Sequence, residues 1–119
     1  MLFRSDRKRF KLLKSGEGSK ILVIRSLSLL MRLLENYYHK QMILLIDEYD
    51  VPIAKASSKG YYQQMLEIIR GMMSTALKDN TSLKFAVITG CLQIAKESIF
   101  TGTNNFVTDT IAKDRKSVV

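Results

Sequence analysis

The stretch MILLIDEYD, residues 42–50, runs five apolar residues into three carboxylates within four positions. Its apolar residues do not alternate with polar ones. That pattern predicts a short strand covered on both faces, as in a parallel sheet, rather than a half-exposed antiparallel strand. In open α/β sheets, ligands bind at the carboxyl ends of the strands. The segment therefore has two readings. Its acids are delivered to a reaction, or they form a solvated turn after a core strand.

The residues on either side set the context. KSGEGSK (14–20) is a turn by composition, and Ser19 is placed to cap a helix. In the run ILVIRSLSLLMRLLENYY (21–38), Ile24, Leu27, Leu30, Met31 and Leu34 recur at helical spacing. This predicts one amphipathic helix whose apolar face needs a sheet to pack on. HKQ (39–41) is a short connection, and lone His39 suits a helix C-terminus or the surface. After the acids, Pro52 is expected to stop any regular element, leaving AKASSKG (54–60) as a polar loop. YYQQMLEIIRGMMSTALKD (61–79) carries Met65, Ile69, Met72 and Ala76 on one stripe, flanked by Leu66, Ile68, Met73 and Leu77. It predicts a second helix with methionine as core filling. Gly71 inside it costs about 1 kcal/mol relative to Ala, which points to a close packing contact there. LKFAVIT (83–89) is a second strand ending at Thr89. CLQIAKESIF (91–100) suggests a helical turn or two, with Cys91 as a small buried side chain, and TGTNNF (101–106) is rich in turn residues.

Helix, strand, helix, strand in this order implies an α/β chain with parallel strands and flanking helices. Two strands fall short of the roughly five of an ordinary sheet, so the sheet is expected to be incomplete. If the two strands are neighbours, Asp47, Glu48 and Thr89 converge on one crevice. Mg²⁺ takes oxygen ligands, keeps several waters, and is commonly held by one or two carboxylates together with substrate phosphates. A second carboxylate beside it can orient or deprotonate a water that attacks the γ-phosphate. This is the logic of a Walker B element. On pattern alone, an acidic turn after a core strand explains the residues equally well.

The segments ILLIDEYDVPIAKA and LKDNTSLKFAVITGCLQIAKESIFTGTNNF together resemble the bacterial AAA-ATPase-like family. The resemblance extends from about residue 10 to about residue 113, with its motifs in order and at fitting separations. It implies a partial P-loop NTPase-type three-layer fold, with ATP and Mg²⁺ as cofactors in the complete protein. It implies Asp47 as the Mg²⁺-coordinating Walker B acid, Glu48 as the catalytic base, and Thr89 as the residue that senses the γ-phosphate. Asp50 belongs to the same DEYD motif, where a turn-capping acid and a ligand are both open. Asn104 and Asn105 match the family pattern as turn residues. Gln93 stands where the family has a basic residue, so a phosphate contact from that position is in doubt, and Lys96 is read as a solvated cation. Members of the family are often followed by a nuclease-like domain.

A nucleotide site also needs a phosphate cradle, G-x-x-x-x-G-K-[ST], leading into a helix. The chain contains none. SGEGSKI has the wrong spacing and no Ser or Thr after Lys20. The expectation is therefore an internal fragment of an ATPase domain, residues 6–113, that lacks the Walker A segment and is inactive alone. The ends support it: MLFRS and DRKSVV resemble translated sequencing-adapter DNA, which would make residues 1–5 and 114–119 non-native.

The 119 residues suffice for one small domain. With 46% hydrophobic and 25% charged residues, the composition is that of a globular chain rather than a disordered one. No apolar run reaches the roughly 20 residues of a membrane span, so no membrane role is expected. One cysteine excludes an intrachain disulfide and favours a reducing, cytoplasmic setting. The net charge of +8 is concentrated at the ends, with six basic residues and one acid in RSDRKRFKLLK (4–14). Setting aside the suspected non-native termini lowers the charge to +6. Solvated charge explains such a segment, and so does a basic tail that binds nucleic acid. A basic nucleic-acid-binding module and a non-catalytic interaction scaffold are thus the alternatives to an ATPase fragment.

Overall fold

The computed structural model describes residues 3–91. The expectations for Gln93, Lys96, Asn104 and Asn105 lie outside the described residues. The elements in chain order are α1 (Phe3–Ser15), α2 (Lys20–Ile24), α3 (Ser26–Tyr38), β1 (Met42–Ile46), α4 (Val51–Lys59), α5 (Tyr62–Leu77) and β2 (Leu83–Ile88).

The two strands pair in parallel, with Leu44 opposite Ala86, Leu45 opposite Val87 and Ile46 opposite Ile88. A connection made of α4 and α5 joins them, as an incomplete α/β fold requires. Among the described residues the helices cover one face of the pair. On that face Leu44 packs with Met31 of α3 and Ala76 of α5, bordered by Ile46, Leu77 and Ala86. A second cluster, Tyr49, Ile53, Leu66 and Met73, continues the core beyond the strand ends and is bordered by Ile46 and Ile88. On the opposite face Ile43, Leu45, Phe85 and Val87 are exposed. The expectation of a strand covered on both faces therefore holds for one face among the described residues.

Three local expectations are corrected. The segment after Pro52 is helix α4, not a loop. Pro52 sits in its first turn, where backbone N–H groups have no intrahelical acceptor and a proline removes nothing. Ile53 and Ala56, one turn apart and both fully buried, tie this helix to the core. Gly60, with φ of 86°, closes it in the left-handed conformation that glycine adopts without penalty.

The helix expected over 21–38 is broken at Arg25. At the break the Thr75 hydroxyl lies within reach of two carbonyls, Ile24 at 3.1 Å and Met72 of its own helix at 3.2 Å, and its one proton serves one of them at a time. Ile24 also lies against Gly71, where a Cβ would come within 2.7 Å of its Cγ2, so the close contact expected at Gly71 is present. Ser19 caps α2 as expected, its hydroxyl accepting from the Leu22 N–H at 3.3 Å.

The third correction is α1, which the basic composition of residues 4–14 disguised as a tail. Asp6 is 1% exposed, and both of its oxygens accept from the Arg32 guanidinium at 2.9 Å. This two-pronged ion pair fastens α1 to α3.

At the other end of the core, the Asn80 side chain donates to the Ala76 carbonyl at 2.8 Å and accepts from the Ser82 N–H at 3.0 Å. The LKDN motif thus ends α5 and turns the chain into β2. His39 caps α3 in a left-handed conformation, its N–H donating to the Glu35 carbonyl. No helix among the described residues is long and apolar enough to cross a membrane.

Candidate active site

Asp47 follows β1 directly and Thr89 follows β2, so the parallel register brings them to the same end of the sheet. The Thr89 N–H donates to the Ile46 carbonyl at 2.9 Å and extends the ladder one residue past both strands. Its hydroxyl donates to Asp47 Oδ1. That hydroxyl oxygen also accepts from the Glu48 N–H at 3.1 Å, and the Thr89 carbonyl accepts from the Tyr49 N–H at 3.0 Å. One threonine is therefore bonded to Ile46, Asp47, Glu48 and Tyr49 in succession.

This bonding explains a strained backbone. Glu48 has φ of 53°, the left-handed region that non-glycine residues seldom occupy and that costs of order 1–3 kcal/mol unless the surroundings impose it. The two N–H bonds to Thr89, at Glu48 and at Tyr49, fix the peptide units on both sides of that residue. The turn closes when the Val51 N–H donates to the Glu48 carbonyl at 3.1 Å. As a result the Asp47, Glu48 and Thr89 side chains stand exposed at the strand ends while Tyr49 and Asp50 turn inward and are buried.

Tyr49 and Gly90 were not singled out from sequence, yet they hold this arrangement together. A Cβ on Gly90 would lie 2.2 Å from Cε1 and 2.4 Å from Cδ1 of the Tyr49 ring, and 2.9 Å from Asp50 Oδ1. The Cδ1–Cε1 edge of the ring thus lies close against the backbone that follows Thr89, and only glycine leaves room for it. The signal available in sequence was an aromatic residue between acids and a glycine after the strand-end threonine. Burial raises the Tyr49 hydroxyl above its usual pKa, with smaller contributions from Asp50 and Cys91. Asp50 occupies the N-cap position of α4 without a side-chain capping bond. Cys91, expected to be buried, is exposed in the segment past the end of β2.

The donor set is oxygen only: one carboxylate, a second beside it, and a hydroxyl. Among the described residues there is no group of three or more His, Cys, Asp or Glu side chains able to hold a metal ion. Such a site does not cage a metal by itself. It fits a hard cation that keeps most of its waters and shares its remaining positions with a phosphate.

The family model described as Predicted AAA-ATPase matches residues 3–100. The chain belongs to this AAA-ATPase-like family. Neither a curated protein nor a solved structure matches it. The family points to nucleotide binding in general terms. Within this AAA-ATPase-like chain the match takes in α1 through β2, and with them both strand ends and the Tyr49–Gly90 contact.

Proposed function

We propose that Asp47, Glu48 and Thr89 form the metal- and water-handling wall of an ATP-hydrolysing site, as a Walker B pair and its sensor. The observation that carries this reading is the hydroxyl of Thr89, which is bonded at once to the Asp47 carboxylate and to the Glu48 backbone. Family membership supports nucleotide as the ligand class.

Asp47 would hold Mg²⁺ through a carboxylate oxygen. The cation supplies charge neutralisation of the phosphate oxygens when bound. Glu48, adjacent and solvent-facing, orients a water and takes its proton. Thr89 fixes the Asp47 carboxylate with its one hydroxyl proton, and would sense the terminal phosphate by turning that proton from Asp47 to a phosphate oxygen. The backbone amides and lysine of a phosphate cradle come from outside these 119 residues, since the sequence contains no such motif. Without them most of the electrostatic stabilisation of the transferring phosphoryl group is absent, and the isolated chain does not turn over ATP.

Two measurements test this. The purified 119-residue chain is expected to show no ATP turnover above buffer. In the complete protein, Glu48→Gln is expected to lower kcat by about 10²–10⁴-fold, as loss of a general base does, while ATP binding stays within a few-fold. Turnover by the isolated chain that Glu48→Gln abolishes would refute the need for a separate cradle. Unchanged kcat in the complete protein would remove Glu48 from the chemistry.

A further inference from the structure

The charge on α1 is not spread around the helix. At about 100° per residue, Arg7, Lys8, Lys11 and Lys14 fall within roughly 120° of arc, and Arg4 extends the same stripe. All five are exposed. The only acid on the helix, Asp6, points the other way and is consumed by Arg32 and Arg9. None of the stripe's cations meets a carboxylate among the described residues.

The same ion pair that makes α1 part of the fold therefore sorts its charges. The acid is buried beneath the helix, and an uncompensated cationic ridge faces outward. From residue 7 to residue 14 the ridge is about 10 Å long at about 1.5 Å per residue, with a cation at every turn.

We propose that this ridge binds the phosphodiester backbone of nucleic acid without reading sequence. Duplex DNA carries about one negative charge per 1.7 Å of axis, so a ridge of this length can neutralise several phosphates at once. The arc itself contains no apolar side chain. A helix that lies in a membrane surface needs an apolar face to bury, and here Leu12 and Leu13 are half-buried against the protein while Phe10, 38% exposed, lies at the flank of the arc. The proposal does not depend on the ATP-site reading, because none of its residues belongs to the strand ends.

The test uses the 119-residue chain and a labelled 20-base-pair duplex of mixed sequence, with the corresponding single strand as a second arm. Counting Arg7, Lys8, Lys11 and Lys14 and leaving out Arg4 of the suspected non-native terminus, four contacts at about −0.9 each give a slope of log K against log salt near −3.6, or a loss of about 150-fold in affinity between about 50 and 200 mM salt. Lys11→Gln/Lys14→Gln removes two of the contacts and leaves helix propensity almost unchanged. It is expected to halve the slope to about −1.8, a loss of about 12-fold over the same range. Lys55→Gln/Lys59→Gln removes the same charge from exposed positions of α4, which packs on α5, and is expected to leave the slope unaltered. A shallower slope on single strands, near −0.7 per contact, would still support the ridge. Equal effects of the two double variants would show net charge rather than the ridge to be responsible and would overturn the proposal. So would absence of salt-dependent binding, or binding to anionic phosphatidylserine vesicles with none to either nucleic acid.

Discussion

Glu48 shows how much of the site is decided one residue at a time. Its position after an apolar run is legible in sequence, and so is that of Asp47 before it. The left-handed turn that faces both side chains outward is not, because it depends on hydrogen bonds to Thr89, 41 positions away. Tyr49 was hidden for the same reason: nothing in the spelling DEYD says that its ring lies against Gly90. Its burial has a measurable consequence. The folded chain holds the Tyr49 proton more tightly than the unfolded chain, so the native state binds more protons once pH exceeds the usual tyrosine value of about 10. The contribution is complete below that pH and is lost as pH rises through the raised native value. Tyr49→Phe removes the titrating hydroxyl and keeps the ring over Gly90. In urea unfolding from pH 8 to pH 11, the variant is expected to lose less stability than the wild type above about pH 10, with the two curves parallel below it. Parallel curves over the whole range would mean that the hydroxyl is solvated in the folded state.

Among the elements, those with an unambiguous hydrophobic period were readable to within a residue or two. Both strands and α5 belong here. Helix α4 was lost because Pro52 was treated as a stop, although Asp50 before it and the buried pair Ile53 and Ala56 after it mark a helix start. Helix α1 was lost because six cations outweighed Asp6 and Leu13, which lie on the face that turns inward. The break between α2 and α3 was invisible, since the residues packed against Ile24 at that point, Gly71 and Thr75, lie on another helix. The packing of α2 on α5 makes a prediction whose sign depends on a neighbour. Gly71→Ala adds helix propensity worth about 1 kcal/mol. It also places a methyl 2.7 Å from Ile24 Cγ2, a branched side chain with little freedom to withdraw. The substitution is expected to destabilise the wild type by about 1–2 kcal/mol. In an Ile24→Ala background, where the obstructing atoms are gone, the same change is expected to stabilise by up to about 1 kcal/mol. A double-mutant cycle by urea unfolding measures both, and additivity would show that the two helices do not meet at this point.

At the scale of the whole molecule, the described residues make a sheet with one dressed face and one bare one. The continuous apolar run of residues 42–46 suits a strand buried on both sides, but periodicity does not say where the second cover comes from. Neighbouring residues of β1 expose the difference. Leu44 is 9% exposed and packs with Met31 and Ala76, whereas Leu45 is 71% exposed on the opposite face. Their deletion should therefore have unequal costs despite identical chemistry and adjacent positions. Leu44→Ala removes buried methyl groups from a packed cluster and is expected to cost about 2–5 kcal/mol. Leu45→Ala removes side-chain atoms already in water and is expected to stay within about 0.5 kcal/mol. Val87→Ala, opposite Leu45 in the register and 50% exposed, should behave like Leu45→Ala. Chemical denaturation of the three variants of this chain decides it. A loss at Leu45 as large as that at Leu44 would place a second packed layer over the face that carries Ile43, Leu45, Phe85 and Val87.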